Sequence, residues 1–282
     1  MASVLNTNMA SISAQRYLTN AQNKLAASFE KLSSGSRINR AQDDAAGMGI
    51  SQKLTASINS TSMAMRNAND AIGVLQTAEG ALAEVSTMLQ RFRELSVQGS
   101  NAALSQEQLS FLQTEMDGLK SEINAISTRT AFNGINLLTG SSKSLVFQTG
   151  EQDTDSITIT TLSLAGLTKM SALFAAVSSL PSTSTSLSVG NFSGLISEID
   201  EAITEIATER ATFGSQVNRL GHNLNNLAAL YENLSAANSR VVDTDYANET
   251  ANLTKTQILQ QAATAMLSQA NSQPNVVLAL LK

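Results

Sequence analysis

The sequence predicts a mainly α protein: a long antiparallel helical bundle or coiled coil with a small β-hairpin element, its N- and C-termini paired at one end. Three observations predict it. Apolar residues alternate at spacings of three and four over long stretches, a β-rich run interrupts them near the middle, and thin stripes of small residues occupy both ends. Of the 282 residues 15% are charged, and the only prolines are Pro181 and Pro274, so little in the chain breaks a helix.

The longest seam starts at Ile196 and runs through Ile199, Ile203 and Ile206, then Phe213, Val217, Leu220, Leu224, Leu227, Tyr231 and Leu234, with Arg210 as its one interruption. A second runs Ala68, Ala71, Leu75, Ala78, Leu82, Val85, Leu89, Phe92, and a third Leu109, Leu112, Met116, Leu119, Ile123, Ile126. Three helices with such seams pack on one another, because each fully buried Leu or Ile contributes roughly 1.5–3 kcal/mol relative to exposure. The ends are thinner. Ala14, Leu18, Ala21, Leu25, Ser28 and Leu32 form one stripe; Ala247, Ala251, Thr254, Ile258, Gln261 and Ala265 form the other, with Leu259, Met266 and Leu267 alongside. Residues 1–30 carry only Arg16, Lys24 and Glu30 as charges, and residues 247–282 only Glu249, Lys255 and Lys282. Such segments bury too little to be stable alone and lack the charge of a permanently solvated face. They are expected to fold against each other and against copies of themselves.

Between the halves, LVFQT (145–149) and SITITT (156–161) are short β-rich runs separated by GEQDTD, which reads as a hairpin within an element spanning about 141–165. The Ser/Thr-rich SSLPSTSTSLSVG (178–190) marks an exposed loop, expected over about 172–191.

Chemistry finds little foothold. The net charge of −5 argues against nucleic acid as a partner, and no run reaches the roughly 18–20 apolar residues of a membrane span, so neither nucleic-acid binding nor membrane insertion is expected. The first 30 residues lack a charged segment followed by an apolar one, so a cleaved secretory signal is not expected. There is no cysteine, and His222 is the only histidine, set on a leucine-rich helix. KLSSGSRINRAQDDAAGMGI (31–50) contains neither GxGxxG nor GxxxxGK[ST]; its adjacent Asp43 and Asp44 would point about 100° apart on a helix rather than converge on a metal. No catalytic residue, cofactor or metal is expected.

Both ends of the chain resemble bacterial flagellin, the flagellar filament subunit. The N-terminal match is SISAQRYLTNAQNKLAASFEKLSSGSRINRAQDDAAGMGIS, then AMRNANDAIGVLQTAEGAL, then FNGINLL at 132–138; the C-terminal match is ENLSAANSRVVDTDYANETANLTKTQILQQAATAMLSQAN, ending LALLK. The resemblance covers roughly residues 1–165 and 192–282. It implies a secreted, extracellular structural protein, not an enzyme, that polymerises into the helical filament for swimming motility. Residues 1–44 with 243–282 would form an inner terminal coiled-coil domain carrying Leu18, Leu25, Leu32, Ile258, Leu259 and Met266. Residues 45–242 would form the helical-bundle domain, with the short loop in place of outer domains, giving a thin and comparatively smooth filament. The 31–50 segment would be the joint between the domains, with Arg37, Arg40, Asp43 and Asp44 as candidates for polar contacts within or between subunits.

The resemblance further implies partners: other copies of the chain, type III export without cleavage, an export chaperone on the C-terminal segment (Leu259, Met266, Leu267, Leu280), a filament cap and hook-junction proteins. LQRFRELSVQGSN (89–101) is similar to the flagellin segment recognised by Toll-like receptor 5. Gln90, Arg91, Arg93, Glu94, Leu95 and Val97 match, Phe92 departs from the usual smaller aliphatic residue, and Glu115 falls at the adjoining receptor contact. Two alternatives stand beside this reading: a hook–filament junction protein, and a secreted helical adhesin or receptor ligand.

Overall fold

A computed structural model describes residues 7–181 and 188–279, the last six for backbone alone. In chain order these form helix α1 (Met9–Ser34), α2 (Ala45–Gly99), α3 (Gln106–Arg129), strands β1 (Ala131–Phe132), β2 (Ile135–Asn136), β3 (Ser144–Gln148) and β4 (Ser156–Thr160), helix α4 (Thr168–Ser178), and helices α5 (Val189–Val242) and α6 (Tyr246–Ala279). The protein is mainly α, with its long helices paired and its terminal helices together. The chain divides into two compact units, Met1–Ile58 with Glu232–Lys282, and Asn59–Tyr231.

In the unit Asn59–Tyr231 the heptad seams become the core. Every residue of the seam from Ala68 to Phe92 is buried on α2, as are Leu109, Leu112, Met116 and Ile123 on α3 and Phe192, Leu195, Ile199, Ile206, Phe213 and Leu220 on α5. Antiparallel pairing of α2 with α5 is marked by Arg93–Asp200 at 2.7 Å and Arg210–Glu79 at 3.3 Å, so the interruption at Arg210 is an ion pair set into the seam. Tyr231 departs from expectation: it is exposed although it continues the periodic series. Helix α3 opens with a capping box, in which Ser105 Oγ accepts the Gln108 N–H and Gln108 Oε1 accepts the Ser105 N–H.

The expected hairpin is β3–β4, paired antiparallel from Ser144↔Thr160 to Gln148↔Ser156, and Asn67 Nδ2 on α2 donates to the Gln148 carbonyl at 2.9 Å. Two elements were not foreseen. Asn133 and Gly134, both at positive φ, turn β1 into β2, which is the preference of a two-residue hairpin for Asn-Gly. The loop expected over about 172–191 is shorter, because α4 takes residues 172–178 and α5 begins at Val189; residues 182–187 lie outside the described residues. Helix α4 forms because Met170, Leu173 and Val177 fall three and four apart inside a Ser/Ala-rich stretch and are all buried. Its N-terminus has no side-chain cap of its own; Glu205 of α5 accepts the Lys169 and Met170 N–H groups instead, at 2.9 and 3.1 Å. At its other end Lys120 of α3 donates to the Phe174 carbonyl and to Ser178 Oγ.

Candidate assembly site

In the unit Met1–Ile58 with Glu232–Lys282, α1 and α6 lie antiparallel, with Lys31 beside Thr244 at one end and Asn8 beside Ala270 at the other. The residues buried between them are small: Ser11, Ala14, Ala21 and Ser28 from α1, Thr256 and Ala270 from α6. The large apolar residues face outward instead. Met9 and Met266 are each 65% exposed, Tyr17 62% and Ile258 60%, with Ile12, Phe29 and Leu259 also exposed. Leu18, Leu25 and Leu32 are half-buried. The face of α6 least exposed to solvent is Leu253, Thr256, Gln260, Ala263, Leu267 and Ala270, not the expected stripe Ala247 to Ala265. Two interleaved series of similar character exist in this low-contrast sequence, and the position of α1, not side-chain size, selects the one that turns inward. A groove of about 590 Å³ runs along the pair, walled by Ala14, Tyr17, Ala21, Leu259, Ala263 and Met266. Leu280 lies outside the described residues.

The segment between α1 and α2 is stitched to the turn between α5 and α6. Gly35 ends α1 in the left-handed region (φ 71°), and its carbonyl accepts the Thr244 N–H at 2.9 Å. The Arg37 N–H donates to the Val242 carbonyl at 2.6 Å and Arg37 Nη2 to the Val241 carbonyl at 2.7 Å. Arg40 pairs with Glu30 at 3.0 Å. The Asp43 carboxylate accepts the N–H groups of Arg40 (2.9 Å) and Asn39 (3.1 Å), bonds that favour its charged form and hold its pKa below the ordinary 3.8. Asp44 accepts the Gly47 N–H at 2.8 Å, ahead of α2, and a side chain at Gly47 would overlap both Asp44 and Ile38. Asp245 plays the matching part for α6: hydrogen bonds from Asn248 and Ala247 lower its pKa too. Arg37, Arg40, Asp43 and Asp44 therefore all make contacts within one chain. A phosphate cradle would require free backbone N–H groups, and here aspartates occupy them.

On the other unit, Arg91 of α2 bridges Glu94 at 2.9 Å and Glu115 of α3 at 2.7 Å, which raises its pKa, while Arg93 pairs with Asp200 of α5. Gln90, Glu94 and Val97 are exposed; Phe92 and Leu95 are fully buried in the core. Sequence reading passed over Phe111, 64% exposed and four residues before Glu115 on the same face of α3. Its signal was present, since it stands outside the Leu109–Leu112–Met116 seam. His222 is exposed on α5.

A family model described as the bacterial flagellin N-terminal helical region matches residues 5–143, and one described as the bacterial flagellin C-terminal helical region matches residues 196–281. The chain belongs to the bacterial flagellin family. It is similar to the flagellin of Bacillus subtilis strain 168, 40% identical over 302 aligned positions that cover 99% of each chain. The flagellin of Halalkalibacterium halodurans is likewise 40% identical, over 99% of this chain and 100% of its own. Among solved structures, a putative flagellar hook-associated protein from Vibrio parahaemolyticus aligns with 71% of this chain and 100% of its own at a TM-score of 0.59, with 14% identity, a likeness of fold. As a flagellin the chain is a structural protein rather than an enzyme. It polymerises with itself into the extracellular flagellar filament that serves motility.

Proposed function

We propose that the α1/α6 pair is the polymerisation surface of this flagellin and orders fully only when it docks among neighbouring copies. The observation that carries this is the inverted packing of the pair: alanine and serine inside, Met9, Tyr17, Ile258 and Met266 outside. Exposed apolar side chains on a long helix pair are a cost to a lone subunit and a driving force once a neighbour covers them. A surface that meets a different surface of the next copy closes into a ring only if the rotation between copies allows it, and otherwise extends into a helical filament. Residues 1–44 and 243–282 form the inner domain lining the filament in this reading, residues 45–242 the surrounding bundle, and Arg37, Arg40, Asp43 and Asp44 fix the joint between them. The short connection around α4 gives a thin filament. Low terminal order also suits export through a narrow type III channel, with Leu259, Met266 and Leu267 available to a chaperone before the cap and hook-junction proteins receive the subunit. Purified protein, depolymerised and then supplied with short filament seeds, is expected to grow long tubes seen by electron microscopy, and a form lacking residues 1–30 is expected not to. Monomers that persist beside good seeds would overturn the reading.

A second reading rests on the face shared by α2 and α3. Gln90, Arg91, Glu94, Val97 and Glu115 are exposed and carry an ion-pair network, the kind of polar, apolar-edged patch a receptor reads. Recognition by Toll-like receptor 5 is proposed there, with Arg93 supporting α2 through Asp200 and Leu95 acting from the core rather than by contact. Monomer that leaves receptor-bearing reporter cells silent at high concentration would remove it.

A further inference from the structure

Helix α6 contains a carbonyl that its own helix leaves without a donor. In an α-helix the N–H of residue i donates to the carbonyl of residue i−4, and proline has no N–H to give. Residue 274 is Pro and α6 continues past it to Ala279, so the carbonyl of Ala270 lacks its i+4 donor. Ala270 is buried, and a buried carbonyl left unpaired is costly. The missing donor comes from the other end of the chain. Asn8 Nδ2 donates to the Ala270 carbonyl at 2.8 Å. The same side chain is the N-cap of α1, with Oδ1 accepting the Ser11 N–H at 3.0 Å, and one turn on Ser11 Oγ donates to Asn271 Oδ1 at 2.7 Å.

We infer that Asn8 and Pro274 together form a register latch for the terminal helices: the proline vacates one carbonyl and the asparagine fills the vacancy while capping its own helix. The need for such a latch follows from the rest of the pair. Between α1 and α6 the buried residues are mostly alanine and serine, whose near-equal sizes leave the helices little reason to prefer one register over another. A single vacated carbonyl on α6, met by a single capping amide on α1, marks one alignment. Asn8 is thus a positioning residue for assembly, acting through the α1/α6 pair. This inference rests on the reading that the pair orders when it docks, so that the latch energy enters the polymerisation equilibrium.

The test is a double-mutant cycle on the full chain, read as the subunit concentration left in solution when seeded filaments reach steady state. Asn8→Ser keeps a good N-cap and removes the amide donor; Pro274→Ala returns a backbone N–H to the Ala270 carbonyl. Asn8→Ser is expected to raise the residual concentration about fivefold in the native background, the factor one net hydrogen bond carries, and less than about twofold when Pro274→Ala is present. Asn8→Asp, which also caps and cannot donate, is expected to follow the same pattern and serves if Asn8→Ser proves insoluble. Equal effects of the Asn8 variants in both backgrounds, or none in either, would overturn the latch while native filaments still grow. Failure of the native chain to grow from seeds would instead overturn the assembly reading on which the latch rests.

Discussion

Gly80 and Gly99 lie on the same helix, yet a methyl group would meet opposite fates at them. A Cβ at Gly80 meets nothing, so Gly80→Ala should stabilise the bundle by roughly 1 kcal/mol through helix propensity and a less disordered unfolded chain. A Cβ at Gly99 would overlap the ring of Phe192, which is fully buried and cannot swing away, so Gly99→Ala should cost on the order of 1–3 kcal/mol of overpacking, more than the same propensity gain returns. Urea unfolding of the monomer separates the two by the sign of the midpoint shift. At the joint the prediction concerns pH. The folded pKa of Asp43 lies below its unfolded value, so its carboxylate contributes stability above about pH 3.8 that is lost as pH falls through the lowered folded pKa. An NMR titration of the Asp43 carboxyl should give a midpoint below 3.8, and Asp43→Asn should remove the titration together with part of the acid sensitivity of the joint. None of these outcomes can be read from the residue alone, because glycine and aspartate each take their meaning from the neighbour a few ångströms away.

At the level of elements, α4 is held at both ends by charges of the sign its dipole prefers, Glu205 at the N-terminus and Lys120 at the C-terminus. Glu205→Ala should remove the carboxylate that accepts the Lys169 and Met170 N–H groups and cost about 1 kcal/mol, seen as faster hydrogen exchange across Thr168–Ser178 with α2 and α3 unchanged. Uniform loss of protection across the bundle would contradict a local role. The long helices were legible because their apolar spacing is sustained over many turns. Helix α4 was hidden because Ser and Ala dilute its three apolar anchors, and the β1–β2 turn because Asn133-Gly134 sits between strands of only two residues each. The inward face of α6 was misread for a related reason: Ala247–Ala265 and Leu253–Ala270 are both acceptable stripes, and only the position of α1 chooses between them.

For the whole molecule, inverted packing of the terminal pair predicts a separation of assembly from folding. Ile258→Glu places a charge on an outward apolar surface, so it should leave monomer unfolding within about 0.5 kcal/mol of the native chain yet abolish growth from seeds. Ala21→Leu, overpacking the inner face, should weaken the pair itself, reducing growth and the terminal helicity gained on assembly, read by circular dichroism. Growth of normal filaments by the Ile258→Glu chain would show that this face stays in solvent. The sequence by itself determined the helical class, a hairpin from the runs 145–149 and 156–161, and the family, because these follow from periodicity and motifs that survive without coordinates. Tertiary structure decided which stripe of α6 meets α1, that Leu95 lies in the core, that the joint residues bind their own chain, and which donor reaches the Ala270 carbonyl. Those depend on which of several near-equivalent small or polar side chains is brought close, and proximity between residues 8 and 270 is set by the fold, not by any local pattern.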